Sequence, residues 1–327
     1  MTILVTGSAG HLGEALMRAL RVQGRAAIGA DIVASAFTDR VGSIVDPAFV
    51  DACMTDVGAV VHTATLHKPH IATHSRQAFV DTNITGTLNL LEAAAQRGVA
   101  AFVYTSTTSV FGDALTPADG APAAWVTEEL APLAKNIYGA TKAAAEDLCR
   151  VFHRNHRLPC LVLRTSRFFP EPDDDATQRG GYSDGNIKAN ELLYRRVDIA
   201  DVVDAHLLAL ERAPALGFGR YVISATTPFR RDDAEELRRD AAAVLARRVP
   251  GYEAEYARRG WRMFPGIGRV YDNALARDAL GWRPRHDFAA LLATLREGAD
   301  PRSTLAREVG VKGYHGERWR DGLYPVE

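Results

Sequence analysis

A glycine triplet set directly behind a short apolar run constrains this chain more than any other feature. Ile3–Thr6 reads as a strand, the loop Thr6-Gly7-Ser8-Ala9-Gly10-His11-Leu12-Gly13 follows at once, and Leu12, Ala15, Leu16, Ala19 and Leu20 then recur at helical spacing. Glycines between a strand and a helix permit a tight turn and a close backbone approach to a ligand. A negative group can then rest against the open N–H groups and positive dipole end of the helix. The spacing is Gly-x-x-Gly-x-x-Gly, so its context, rather than the triplet itself, carries the reading.

Alternation of short β-rich runs with helical patterns over the first two hundred residues predicts an α/β fold, a Rossmann doubly wound parallel sheet. The expected strands are Ile3–Thr6, Ala26–Ala30, Gly42–Val45, Ala59–His62, Ala101–Thr105 and Cys160–Leu163, with a later one at Tyr221–Ser224. Asp46 before Pro47 predicts a short helix, because Asp caps free N–H groups and Pro loses no hydrogen bond at the first helical position. A longer helix is expected from about Ile137 to His156, bounded by Pro159. Gly, Asp and Pro crowd Pro170 to Asn190, which reads as a long loop. Beyond Leu216 come a charged helix from Asp232 and a helix opened by Asp287 before Phe288, the pieces of a small C-terminal α/β lobe. The division expected is 1–169 for the nucleotide domain, with 197–224 returning to it, and 170–196 with 225–327 for the substrate lobe.

Charge and composition exclude several classes. Basic and acidic residues number 39 and 40, mixed along the chain, and leave no electrostatic footprint for nucleic acid. No apolar run approaches the ~18 residues of a membrane span, and the N-terminus lacks a signal-peptide pattern, so the expected location is the cytoplasm. Cys53, Cys149 and Cys160 lack metal or disulfide spacing and read as small buried hydrophobes.

Asp31, at the end of the second expected strand, turns the glycine loop into a dinucleotide reading and selects the dinucleotide. A carboxylate there accepts hydrogen bonds from the adenosine ribose but repels a 2′-phosphate, and Ile32 and Val33 offer no compensating cation. The expected cofactor is NAD. Tyr138 and Lys142 stand four apart on the long helix, one turn apart on one face. A free tyrosine has a pKa of about 10, and a nearby ammonium favours its phenolate, which can take a proton from a substrate hydroxyl. Thr105-Ser106-Thr107-Thr108-Ser109 supplies hydroxyls at the carboxyl edge of the sheet, where ligands of such folds bind.

Together these residues resemble the extended short-chain dehydrogenases/reductases of the NAD-dependent epimerase/dehydratase family. The likeness also takes in Val60-Val61-His62-Thr63-Ala64, Asn83 with Gly86-Thr87-Leu88-Asn89-Leu90-Leu91, Ser106 to Gly112, and Leu280-Gly281-Trp282-Arg283-Pro284. It implies that Thr107, Tyr138 and Lys142 are catalytic, with Lys142 also holding the nicotinamide ribose. It places Gly7, Gly10, His11, Leu12, Gly13, Asp31, Asp46, Ala64 and Asn83 around the cofactor, Asp46 facing the adenine and the backbone near Ala64 its middle. A homodimer through the helices at about Phe79–Arg97 and Ile137–His156 is implied as well.

Departures from the family pattern narrow the chemistry. Thr108 and Ser109 stand where 4,6-dehydratases carry an acidic pair, and neither hydroxyl readily replaces a carboxylate in general acid–base work. The segment from Pro170 to Arg195 is short for a nucleoside-diphosphate site, and Tyr194-Arg195-Arg196 stands at the family's Arg-Asp-Phe-like triplet. Arg195 or Arg196 is expected to meet a substrate carboxylate or phosphate, and Arg167 replaces the usual Asn beside the nicotinamide. His67, His70 and His74 lack a metal-binding pattern; no metal is expected, and His67, His70 and Thr108 are expected to border the substrate. The leading function is NAD-linked hydride transfer at a hydroxyl or keto carbon of a small sugar-like or polyhydroxy substrate. A second is sugar-nucleotide epimerisation with tightly held NAD, and a third a non-catalytic NAD sensor, against which the retained Thr107, Tyr138 and Lys142 count.

Overall fold

The computed structural model describes residues 1–313. In chain order the first half contains β1 (Thr2–Thr6), α1 (His11–Val22), β2 (Ala27–Asp31), β3 (Arg40–Val41), α2 (Pro47–Cys53), β4 (Val57–His62), α3 (Arg76–Val80), α4 (Gly86–Arg97), β5 (Ala101–Thr107), β6 (Ala124–Val126), α5 (Ile137–His156) and β7 (Cys160–Thr165). The second half adds α6 (Ala176–Gly181), α7 (Asp184–Leu192), α8 (Ile199–Leu216), β8 (Phe218–Ile223), α9 (Ala234–Leu237), α10 (Ala241–Arg248), α11 (Tyr252–Arg259), β9 (Arg269–Tyr271), α12 (Ala274–Leu280), α13 (Phe288–Arg296) and α14 (Thr304–Val309). Among the described residues the main sheet has seven strands in the order β3-β2-β1-β4-β5-β7-β8, all parallel, and β6 and β9 pair separately. The order reverses between β1 and β4, and the crevice at that switch point is where such sheets take ligands.

Both faces of the sheet are covered, which is why its strands read as continuous apolar runs. Ile3 and Val5 enter one core with Leu16 of α1 and Val202 of α8, while Leu4 enters the other with Leu90 of α4 and Cys149 of α5. Cys53, Cys149 and Cys160 are buried and form no disulfide. A third core joins Leu193, Leu237, Val244, Tyr256 and Phe288 in the smaller lobe. Asp46 caps α2 by accepting from Ala48 N, and Asp287 caps α13 by accepting from Ala290 N, as their positions in the sequence predict.

Several elements depart from expectation. The third strand is Arg40–Val41 rather than Gly42–Val45, because Gly42 to Ile44 turn away to wall the cavity described below. The segment 170–190 is not one loop: Asp175 caps α6 and Ser183 caps α7. The helix expected from Asp232 is divided into a 3-10 turn, α9 and α10. Ala276, Leu280, Trp282 and Val309, expected in the substrate lobe, are buried in the same core as Ile3, Val5 and Leu16. Residues 314–327 of the expected lobe lie outside the described residues. Among those described, no helix is long and apolar enough to cross a membrane.

His206 on α8 is fully buried, with Nδ1 hydrogen-bonded to the Val202 carbonyl and Nε2 to Thr105 Oγ1. Burial pushes its pKa down to about 4. A base whose folded pKa lies below its unfolded value stabilises the fold fully above the unfolded value, near 6.5, and withdraws that support as the pH falls to the folded one. Thermal melts are therefore expected to lose on the order of 2 to 3 kcal/mol of stability between pH 6.5 and 4 from this residue. His206→Gln should flatten that part of the profile; an identical slope in the variant would reject the assignment.

Candidate active site

The carboxyl ends of β1, β2, β4, β5 and β7 open into one cavity of about 710 Å³, which runs from Asp31 past the glycine loop to Tyr138 and on to Arg195 and Arg269. Gly7 has φ +73°, and a Cβ there would lie 2.7 Å from Ala64 N. A Cβ on Gly13 would lie 1.9 Å from the Gly7 carbonyl oxygen. Side chains are thus excluded where strand, loop and helix meet, and the N-terminus of α1, with no side-chain cap at Gly10, faces the cavity. That arrangement suits a pyrophosphate held by backbone N–H groups.

Asp31 stands at the far end, its two carboxylate oxygens accepting from Ala9 N (3.0 Å) and Val33 N (2.9 Å). It couples the end of β2 to the glycine loop while still lining the cavity. Asp31→Asn is expected to raise the affinity for NADP relative to NAD by about 10- to 100-fold, through loss of charge repulsion and of a ribose acceptor. Titration calorimetry with both dinucleotides checks this, and an unchanged ratio would remove Asp31 from cofactor selection.

Tyr138 reaches the cavity near the start of α5, whose N-cap is Asn136 accepting from Gly139 N. Its hydroxyl lies in the surroundings of the Thr107 side chain, whose Oγ1 accepts from Ser109 N at 3.1 Å. Burial pushes the Tyr138 pKa up to about 12, and the nearby Thr107 side chain opposes this only in part. The phenol is thus held neutral here, opposite to the phenolate that the sequence suggests. Lys142 lies one turn on, 1% exposed, with Nζ donating to the Thr105 carbonyl at 2.6 Å and lying 4.1 Å from the Tyr104 ring centroid. The ammonium is directed under the cavity rather than into its wall, so its expected grip on a nicotinamide ribose is not formed in this arrangement.

Two other expected cofactor residues are placed elsewhere. Asp46 is exposed and spends its side chain on capping α2; Ser43 and Ile44 wall the cavity there instead. Asn83, 1% exposed, accepts from Leu66 N and donates to the Leu66 carbonyl and to Thr141 Oγ1, stapling the loop after β4 to α5. It shapes the wall without touching the cavity. Gly7, Gly10, His11, Leu12, Gly13 and Ala64 do line it.

At the opposite end, His67, His70, Thr108, Arg167 and Arg195 line the cavity, whereas Arg196 does not. Arg196 donates instead to Glu191 and to the Phe169 carbonyl. Arg167 Nη1 lies 2.6 Å from Asp173 and 3.4 Å from Asp174, and Arg195 Nη2 lies 2.5 Å from Glu191. Lys68 Nζ meets Asp174 at 2.7 Å. Burial alone would raise the Asp174 carboxyl, but Lys68 and Arg167 outweigh it and hold its pKa at about 2. His67 and His70 stack edge to face at 4.6 Å, and among the described residues no group of His, Cys, Asp and Glu is placed to hold a metal ion.

Residues without a local sequence signal complete the cavity. Glu171 accepts from His11 Nε2 at 2.8 Å, and Lys312 donates its backbone N–H to Glu171 and its Nζ to Glu14. The segment at 312–313 therefore lies over the start of α1 and joins the cavity wall. Arg269 and Tyr271 enter from β9, with the alternation that points both to one side of a strand.

The family model described as "NAD dependent epimerase/dehydratase family" matches residues 3–224. The chain belongs to that family. It is 30% identical to a dTDP-glucose 4,6-dehydratase of Streptomyces antibioticus, over 90% of this chain and 90% of that protein. It is 26% identical to a UDP-glucose 4-epimerase of Rhizobium meliloti, over 88% of this chain and 94% of that one. Among solved structures, a short-chain dehydrogenase/reductase superfamily protein from Agrobacterium tumefaciens with bound NAD superposes with a TM-score of 0.66 at 27% identity, covering 94% of this chain and 99% of that one. Like the rest of the family, this is an NAD-dependent enzyme with a Rossmann sheet.

Proposed function

We propose that this enzyme moves a hydride between NAD and a hydroxyl or keto carbon of a small sugar-like or polyhydroxy substrate, with Thr107, Tyr138 and Lys142 as its catalytic set. The observation that carries the substrate class is the neutralisation of Arg167, Arg195 and Arg196 by Asp173, Asp174 and Glu191. A diphosphate at this end would have to displace buried carboxylates from their partners, at a cost of several kcal/mol. Arg269 lines the same end with no carboxylate partner among the described residues, which suits a single anionic group such as the carboxylate of a sugar acid. Thr108 and Ser109 leave no acid–base pair for dehydration.

When bound, NAD supplies the hydride acceptor and a positive ring that favours the tyrosine phenolate. Thr107 holds the reacting oxygen by a hydrogen bond, Tyr138 Oη takes the hydroxyl proton, and the Lys142 charge one turn away supports the phenolate. His67 and His70 border the substrate. A homodimer through α4 and α5 and a cytoplasmic location belong to this reading, the first open to sedimentation analysis.

The second reading, sugar-nucleotide epimerisation without net redox change, is favoured by the UDP-glucose 4-epimerase relative and by Arg195 and Arg269 sharing one cavity. Absorbance at 340 nm with added NAD and a panel of free sugars, sugar acids, polyols and sugar nucleotides separates the two. Net NADH formation from a free sugar, acid or polyol is the expected result. Conversion of a sugar nucleotide to its isomer with no net NADH would overturn it.

A further inference from the structure

Glu146 lies one turn beyond Lys142 and two beyond Tyr138 on α5, and is 1% exposed. Its carboxylate accepts from Ser106 Oγ on β5 at 2.6 Å and from Arg164 on β7, through Nε at 3.0 Å and Nη2 at 2.7 Å. Arg220 Nε on β8 stands 3.1 Å away. One buried carboxylate therefore fastens three adjacent strands to the helix that carries the phenol and the ammonium. Ser106 sits between Thr105, whose carbonyl receives Lys142, and Thr107, which lines the cavity with Tyr138.

We propose that Glu146 is a positioning residue of the active site, fixing β5 against α5 so that Thr107 meets Tyr138, and keeping the buried Lys142 charged. The Ser106 bond falls on the residue between the two β5 positions, Thr105 and Thr107, that face the active site. Burial pushes the Lys142 pKa down to about 7, opposed by Glu146 and Cys149. The other groups facing this ammonium are the Tyr104 ring and the buried His62, whose own pKa is lowered well below its ordinary value by burial and by Lys142. Arg164 and Arg220 face Glu146 from the sheet, and both are cations that would leave Lys142 less protonated if the carboxylate were removed. This inference rests on the proposed catalytic roles of Tyr138 and Lys142, but its first test does not.

The chain has five lysines, Lys68, Lys135, Lys142, Lys188 and Lys312, so Lys142 can be followed singly by carbon-13 NMR of the lysine ε-positions, its signal identified by its loss in Lys142→Met. In Glu146→Gln the titration of Lys142 is expected to move down by about one pH unit. Ser106→Ala, which keeps the charge and removes one short hydrogen bond, should leave that titration in place and lower kcat about 5- to 10-fold with KM unchanged. Glu146→Asp should restore part of the titration and of kcat. An unmoved Lys142 titration in a folded Glu146→Gln protein overturns the charge role, and full kcat in Ser106→Ala overturns the positioning role. Loss of the catalytic reading itself shows separately, as turnover surviving in Tyr138→Phe.

Discussion

Tyr138→Phe is expected to reduce turnover by at least ~10³-fold, while the dissociation constant for NAD stays within about threefold. The phenol oxygen is the proton acceptor of the proposed reaction, and the substitution removes that atom alone. The ring, 9% exposed at the cavity wall, remains to pack as before. Because burial lifts Tyr138 to about 12, the rate of substrate oxidation should rise with pH until the phenolate forms or the neighbouring Lys142 loses its proton. Lys142→Met should move that rise to higher pH, because the cation that favours the phenolate is gone. Stopped-flow measurement of NADH formation across pH, with NAD binding measured in parallel by calorimetry, checks both statements. Turnover retained in Tyr138→Phe would falsify the mechanism, whatever the substrate proves to be.

Gly13→Ala is expected to weaken NAD binding by at least ~100-fold, or about 3 kcal/mol. The obstacle is backbone on every side: besides the Gly7 carbonyl oxygen at 1.9 Å, a Cβ would meet the Gly7 carbonyl carbon at 2.6 Å and Ser8 Cα at 2.7 Å. No flexible side chain is available to move, so the glycine loop must lift from α1 and the N–H groups lose their alignment. Gly24 provides the contrasting control. Unlike Gly13, which lies within α1, it has a positive φ, of +65°, and nothing lies within 4 Å of its would-be Cβ. Gly24→Ala should cost about 1 kcal/mol of stability and leave NAD affinity unaltered. Thermal melts and calorimetry on the pair separate conformational strain from the steric demand of the loop, and equal NAD affinities would show that the approach of strand, loop and helix is not what the site requires.

How far the sequence could be read depended on whether a signal was local. The glycine loop, the Asp46 cap and the Ile137–His156 helix each depend on a few contiguous residues, and each forms where expected. Asp46 also shows the limit. Its local bond to Ala48 N satisfies the carboxylate, leaving it exposed at the helix start and not at the adenine that the family resemblance suggests. Asn83 is a binding type of residue by composition but a structural one by burial, and only the proximity of Leu66 and Thr141 in space reveals it. Gly180 and Gly181 concealed the capped helices α6 and α7. The cross-pairing of Arg167 with Glu191 and of Arg195 with Asp173, the contact of Glu171 with His11 and the arrival of Lys312 join residues far apart in sequence, and nothing in any one segment announces them.

The membership of Trp282 and Val309 in the first core bears on how the molecule is made. Trp282 is fully buried and its indole N–H donates to the Asp201 carbonyl of α8, while α14 packs against α1 and α8. The glycine-loop half is synthesised first, yet its apolar surface is not covered until residues some three hundred positions later have emerged. Loop closures of that span form slowly. During synthesis the nascent sheet must therefore stand with one flank uncovered until these late residues arrive.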